Sequence, residues 1–299
     1  MSLLVIGSVA FDTITTPFGK CKNVLGGSAT FFSISASFFS PVNLVAVVGK
    51  DFPESHIRFL NKKGVDTKGL VIESGKTFSW EGEYNWDFSN PSTIATNLNV
   101  FADFNPKLPR EYRNAPYVFL ANIDPEIQNK VLSQISKPKL VACDTMNYWI
   151  ENKKKELKKL LKKIDIFFIN EAEARELTGE ASLVKAAKDI IKMGPKKVII
   201  KKGEHGSLFF SENSVFSTPA YLLESIHDPT GAGDTFAGGV MGYLAQAAGS
   251  VDKSLRKAIV YGSVMATFAV EDFSLRRLGT ITKKDITRRF NKFKKLTHF

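Results

Sequence analysis

Short apolar runs that alternate with amphipathic stretches leave this 299-residue chain few architectures to choose from. Leu3 to Ser8, Val42 to Val48, Tyr117 to Ala121, Leu140 to Cys143, Ile166 to Ile169 and Val198 to Ile200 carry no charge. Such runs read as strands buried on both faces, the pattern of a parallel sheet. Helical patterns lie between them, at Ser28 to Phe39, Ala172 to Leu177 and Leu183 to Met193. After Asp228 the chain turns helical, from about Ala232 to Ala248 and again from Lys253 to Ala269. The expectation is a three-layer α/β/α domain with a mostly parallel central sheet. Short strands at Leu208 to Phe210 and Val215 to Phe216 predict an antiparallel edge.

One stretch departs from this rhythm. Phe78, Trp80, Gly82, Tyr84 and Trp86 alternate with Ser79, Glu81, Glu83, Asn85 and Asp87, the period of a strand with one apolar face. A turn at 89–92 follows, then a return strand with Ile94, Leu98 and Val100 on one side and Thr96 between them. A hairpin placed among βαβ units should stand outside the main sheet. Its aromatic face then covers a substrate cleft or a partner subunit, or packs on its own domain.

The formal charge of +11 admits anionic partners, but the lysines sit where a solvated surface would put them. From Lys153 to Ile164 the apolar residues Leu157, Leu160, Leu161 and Ile164 form one stripe with lysines opposite. The basic C-terminus repeats this with Ile286, Phe290 and Phe293, which predicts a packed closing helix. Neither nucleic acid nor a membrane surface is expected as a partner. Two cysteines and four scattered histidines suggest neither a disulfide framework nor a metal site, and a reducing, cytoplasmic setting fits. The N-terminal apolar run reads as a strand rather than a signal peptide. No internal repeat or low-complexity linker divides the chain, so residues 1–299 read as a single domain.

The residues with the clearest chemistry are Gly231-Ala232-Gly233-Asp234, where a helical pattern begins. Two glycines let the backbone approach a ligand. The free amides of residues 231 to 233 at a helix N-terminus form a ready site for an anion. Asp234 follows at once, placed to take a proton from an attacking hydroxyl. Alignment, charge neutralisation and a base are most of what phosphoryl transfer asks of a protein. The sequence G-x-x-x-x-G-K-[ST] is absent, which sets aside a P-loop enzyme. No dinucleotide fingerprint follows the first strand, where the chain reads Gly7-Ser-Val-Ala-Phe-Asp12.

The run from Asp228 to Phe236 resembles the C-terminal signature of the ribokinase-like (PfkB) carbohydrate kinases. The likeness extends along nearly the whole chain. Gly7 to Asp12 is similar to the family's first strand and substrate aspartate, and Gly26-Gly27 to its diglycine. Val48 to Asp51 with Gly64 to Asp66 resembles the usual second unit. Asn170 to Glu173 matches the N-x-x-E motif, and Lys202-Gly203 with Gly206 the nucleotide-side strand and turn. The hairpin lies where members carry a β-sheet lid, here about 12–25 and 76–103.

The resemblance implies an ATP- and Mg²⁺-dependent phosphotransferase acting on a hydroxyl of a sugar or sugar-like polyol. A nucleoside acceptor, or a relative that binds ligands without catalysis, is the alternative. Asp234 would be the base, and the amides of Gly231, Ala232 and Gly233 the anion hole. Asp12, Gly26 and Gly27 would hold the acceptor. Asn170, Lys202, Gly203 and Gly206 would lie against the nucleotide, and Glu173 would position Mg²⁺ through water. Asp228 and Thr230 match positions that hold a monovalent cation such as K⁺ in some members. The aromatic face of the lid leaves two uses open, a homodimer contact or packing on its own domain.

Plainer roles stand beside these. Asn170 and Glu173 suit a helix cap, and Asp12 suits a strand-end turn. One position departs from the pattern. Many sugar-kinase members place asparagine four residues after the second glycine, and here that position is Phe31. Phe31 either favours an acceptor with a stacking ring or belongs to the helix core.

Overall fold

Leu3–Ile6 (β1) shows how the sequence builds the centre of the molecule. Leu3 and Val5 pack into one apolar layer, Leu4 and Ile6 into another, and all four are fully buried. A strand with no polar face can only sit between two helical layers. The computed structural model describes residues 1–88, 91–247 and 249–297. The remaining strands are β2 (Ala10–Thr16), β3 (Gly19–Gly26), β4 (Val42–Gly49), β5 (Val65–Glu73), β6 (Ser79–Glu83) and β7 (Ser92–Asn97). They continue with β8 (Tyr117–Leu120), β9 (Leu140–Cys143), β10 (Ile166–Asn170), β11 (Lys197–Lys201), β12 (Ser207–Ser211) and β13 (Ser214–Thr218). The helices are α1 (Ser28–Ser37), α2 (Glu54–Lys62), α3 (Pro125–Leu132), α4 (Asn147–Asn152) and α5 (Lys154–Leu161). After them come α6 (Glu171–Thr178), α7 (Leu183–Met193), α8 (Ala232–Gln246), α9 (Val251–Ala269) and α10 (Lys283–Leu296).

Nine strands form the main sheet in the order β13-β12-β11-β10-β9-β8-β1-β4-β5. From β11 to β5 every pairing is parallel, while β12 and β13 add an antiparallel edge. One face is covered by α1, α2, α8, α9 and α10, the other by α3 to α7. The expected three-layer α/β/α architecture with a mostly parallel sheet is therefore present. Both amphipathic stripes read from the sequence turn inward: Leu157, Leu160 and Leu161 in α5, and Ile286 and Phe293 in α10. Each fully buried side chain of this size contributes about 1.5–3 kcal/mol.

Helices α1 and α8 pack closely through small residues. The Ser35 hydroxyl donates to the Thr235 carbonyl at 2.7 Å. Side chains at Gly238 and Gly242 would strike the α1 backbone at Phe32 and Ala36.

A second sheet, ordered β3-β2-β6-β7, stands apart from the first. In β2 the residues Asp12, Ile14 and Thr16 are buried and their neighbours are less so, so Asp12 belongs to this sheet and not to the first strand. Ile14, Cys21 and Tyr84 close on Phe273. The strands cover 10–26 and 79–97, beside the expected 12–25 and 76–103.

The hairpin differs from its sequence pattern in three respects. Trp86 lies beyond the end of β6 and is 76% exposed. A bulge opposite Glu81 and Gly82 throws Ile94 out of register and into solvent. Positive φ at Asn99 ends the return strand, so Leu98 and Val100 are not on it. Of the expected turn, residues 89 and 90 lie outside the described residues, as does Ala248 at the expected end of α8.

Candidate active site

Parallel strands bring their carboxyl ends to one edge, and in this sheet that edge is where the charged residues collect. Asp144 directly follows β9, Asn170 ends β10 and Lys201 ends β11. The first turn of α8, with Asp234, faces them from the helical layer.

Gly231 caps α8 in the left-handed region at φ 73°, and a side chain there would overlap the ring of Phe31. That ring is 1% exposed, so Phe31 is core beneath the turn and does not line a cavity. The three amides expected to point outward do not all do so. The Ala232 amide donates to the Pro229 carbonyl at 3.1 Å, closing the turn that starts the helix. The Gly231 and Gly233 amides have no partner among the described residues. The cradle is thus two amides rather than three.

Ahead of the turn, Asp228 is fully enclosed. One of its carboxylate oxygens accepts from the Thr230 amide at 2.8 Å and the other from the Ser274 amide at 2.9 Å. Asp228 therefore ties the loop down. The Thr230 hydroxyl donates to the Tyr84 phenol oxygen at 3.3 Å, a direct link between this loop and the second sheet.

Asn170 and Glu173 form a reciprocal capping box on α6. The Asn170 side chain accepts from the Glu173 amide, and Glu173 Oε2 accepts from the Asn170 amide, both at 2.8 Å. The plainer role read from the sequence is real. It uses one carboxylate oxygen of Glu173 and leaves the other outside the capping box, and the charges of Lys201 and Asp144 both act on the group. The turn after β11 has Gly203 at φ 53° beside open space. It is closed by the Lys202 amide donating to the Gly206 carbonyl at 2.8 Å.

Two residues at the centre were not singled out in the sequence. Lys201, not Lys202, makes the partly buried ion pair, with its Nζ 2.5 Å from Asp144 Oδ2. Asp144 Oδ1 accepts from the Thr145 amide. The signal for both was positional: each is the polar residue that ends or follows an apolar strand.

Asp12 reaches the site from β2, with its carboxylate against Gly26, where any side chain would overlap it. It also accepts from the Gly27 backbone.

Burial and mutual repulsion dominate the electrostatics. Burial, then the Asp144 carboxylate, push Asp234 up to about 8; Asp12 adds to this, and Lys201 acts against it. Burial also lifts Asp12 to about 7, opposed by the Gly27 amide and assisted by Asp228. Glu173 rises to about 7 through burial, with Lys201 opposing. Burial disfavours the charge of Lys201, but Asp144, Glu173 and Asp234 outweigh it and keep its pKa above the ordinary range.

A pH dependence of stability follows. Between about pH 4 and pH 8 these three carboxyls hold protons in the folded chain that the unfolded chain has already lost. Unfolding then releases protons, so their contribution falls as pH rises through that window. The Tm of the ligand-free protein is expected to decline from pH 5 to pH 8, with a shallower slope in Asp234→Asn. A slope unchanged by that substitution would mean that Asp234 is already ionised in the folded protein.

Among the described residues no group of three His, Cys, Asp or Glu side chains is arranged to hold a metal alone. Among the described residues no helix is long and apolar enough to cross a membrane. The model of the pfkB family carbohydrate kinases matches residues 2–280. A cytidine kinase of Thermococcus kodakarensis is 32% identical over 246 residues, which is 81% of this chain and 87% of that protein. A nucleoside kinase of Methanothermobacter thermautotrophicus is 25% identical over 90% of this chain and 89% of its own. Among solved structures, an E. coli putative ribokinase II in complex with ATP and Mg²⁺ superposes with a TM-score of 0.81. That likeness covers 97% of this chain and 99% of the other at 18% identity.

Proposed function

This chain belongs to the pfkB family of carbohydrate kinases, and from that premise we propose that it moves the γ-phosphoryl group of ATP to the 5′-hydroxyl of a nucleoside. The observation that carries the chemistry is the half-buried Asp234 carboxylate beside the unpartnered Gly231 and Gly233 amides. Similarity to proteins named cytidine kinase and nucleoside kinase favours a nucleoside over the free sugar or polyol expected first.

The acceptor hydroxyl lies between Asp12 and Asp234 in this reading. Asp234, ionised, takes its proton as the oxygen attacks the γ-phosphorus. The bond from phosphorus to the β-phosphate oxygen breaks, and ADP leaves with that electron pair. The two amides stabilise charge on the transferring group. Asn170 and the open space at Gly203 lie on the nucleotide side. The second sheet acts as the lid, with Tyr84 holding it to Thr230 and water excluded beneath.

The residues fit Mg²⁺. Glu173 has one carboxylate oxygen free of the capping box, and Asp144 stands beside it. Too few protein oxygens converge to enclose the ion, which suits one that keeps water and phosphate oxygens as ligands. When bound it would neutralise the β- and γ-phosphates. At Asp228 each carboxylate oxygen accepts one main-chain amide and keeps a lone pair, so the K⁺ expected at Asp228 and Thr230 is neither supported nor opposed by these bonds.

ADP release measured across sugars, inositols and nucleosides tests the acceptor. A nucleoside should give the highest kcat/KM. A sugar or inositol preferred by tenfold would restore the polyol reading, and no turnover with ATP still bound would indicate a binding protein. Gly26→Ala should press the Asp12 carboxylate aside and raise the acceptor KM by about tenfold or more. The ATP KM should stay within about twofold. Equal change in both constants would remove Asp12 from the acceptor side.

A further inference from the structure

Lys201 is placed as more than a structural ion pair. Its Nζ lies 3.2 Å from the position a side chain on Gly233 would occupy, beside an amide that has no partner. Three carboxylates, Asp144, Glu173 and Asp234, all act on this ammonium. A buried pair is a poor source of stability, because desolvation offsets most of its attraction. Here one cation serves three acids in a site where two of those acids have raised pKa values. The next residue, Lys202, closes the turn with its main-chain amide, while the Lys201 ammonium lies at the head of α8.

We propose that Lys201 is a catalytic residue that contacts the γ-phosphoryl oxygens at the Gly231 and Gly233 amides, with Asp144 as the positioning residue that aims it. The inference rests on the kinase reading above. Lys201 neither gains nor loses a proton during transfer. It keeps its charge while the phosphorus exchanges one oxygen partner for another, and it offsets the negative charge on the three equatorial oxygens. Asp144 holds the ammonium in place before the nucleotide arrives, so little reorganisation is needed at the moment of reaction.

The test compares nucleotides that differ only in the third phosphate. Lys201→Met should lower kcat by about 10²–10³-fold. By titration calorimetry it should weaken a non-hydrolysable ATP analogue about tenfold more than ADP. Asp144→Asn should shift the same ratio in the same direction, and the two changes together should cost less than their product. Should the Met variant fail to fold, Lys201→Gln, which keeps a donor for Asp144, takes its place with the same expected ratio. Equal weakening of ADP and the analogue, or kcat within threefold of wild type, overturns the proposal. If the wild type binds both nucleotides but phosphorylates nothing, the kinase reading falls. The binding ratio then still decides whether Lys201 reads the third phosphate.

Discussion

Replacing Asp234 by asparagine is expected to lower kcat by about 10³-fold or more while nucleotide affinity changes less than about threefold. General-base catalysis alone is worth about 10²–10⁴-fold. The asparagine also cannot accept a proton in the geometry that the carboxylate holds at the first turn of α8. The same variant should be the more stable protein. Asp234 has its pKa raised by burial and by Asp144, so its ionised form is disfavoured at neutral pH. Asparagine needs no such proton uptake on folding, which should return about 1–2 kcal/mol, a few degrees in Tm. Loss of turnover with a gain of stability is the signature of a strained functional group. A variant that turns over at the wild-type rate would remove Asp234 from the chemistry. One that loses both activity and Tm would make it structural.

Gly231→Ala should have the second large effect, for a different reason. The position needs φ near +73°, which an L side chain adopts only with strain, and its new methyl would meet the Phe31 ring. Strain of this kind costs about 1–3 kcal/mol, and crowding against a filled core adds to it. The turn can relieve the overlap only by moving, and a shift of an ångström in the cradle lowers turnover by about 10²-fold. Both losses should appear together: Tm down by several degrees, and kcat down even when assayed well below the new Tm. Wild-type kcat with lowered Tm would show that the turn tolerates displacement and that the cradle is not shaped as closely as its packing suggests.

The fold was readable wherever burial on both faces forced an uninterrupted apolar run. Leu140–Cys143 and Ile166–Asn170 lie within a residue of the expected bounds because nothing polar fits between two helical layers. The second sheet was harder, since its strands are half solvated. A bulge at Gly82 and positive φ at Asn99 depend on tertiary contacts that a period-two pattern does not contain. In the site, glycine and aspartate at 231–234 were legible because few contexts need that combination. Lys201 was not: adjacent lysines look alike, and only the last register of β11 decides which one turns toward Asp144. The loss of the Ala232 amide to Pro229 was likewise invisible, because any of the three amides may close such a turn in a chain read without coordinates.

The contact between α1 and α8 has a practical consequence for anyone wishing to retarget this protein. The segment that begins beside the Asp12 carboxylate at Gly27 runs directly under the Gly231 turn through Phe31, and its Ser35 grips Thr235 one residue after Asp234. Libraries that randomise α1 to change selectivity would therefore sacrifice speed in the same step. Diversity placed on β6 and β7, which hold neither Asp12 nor Tyr84, leaves the engine untouched while the choice of passenger is rewritten.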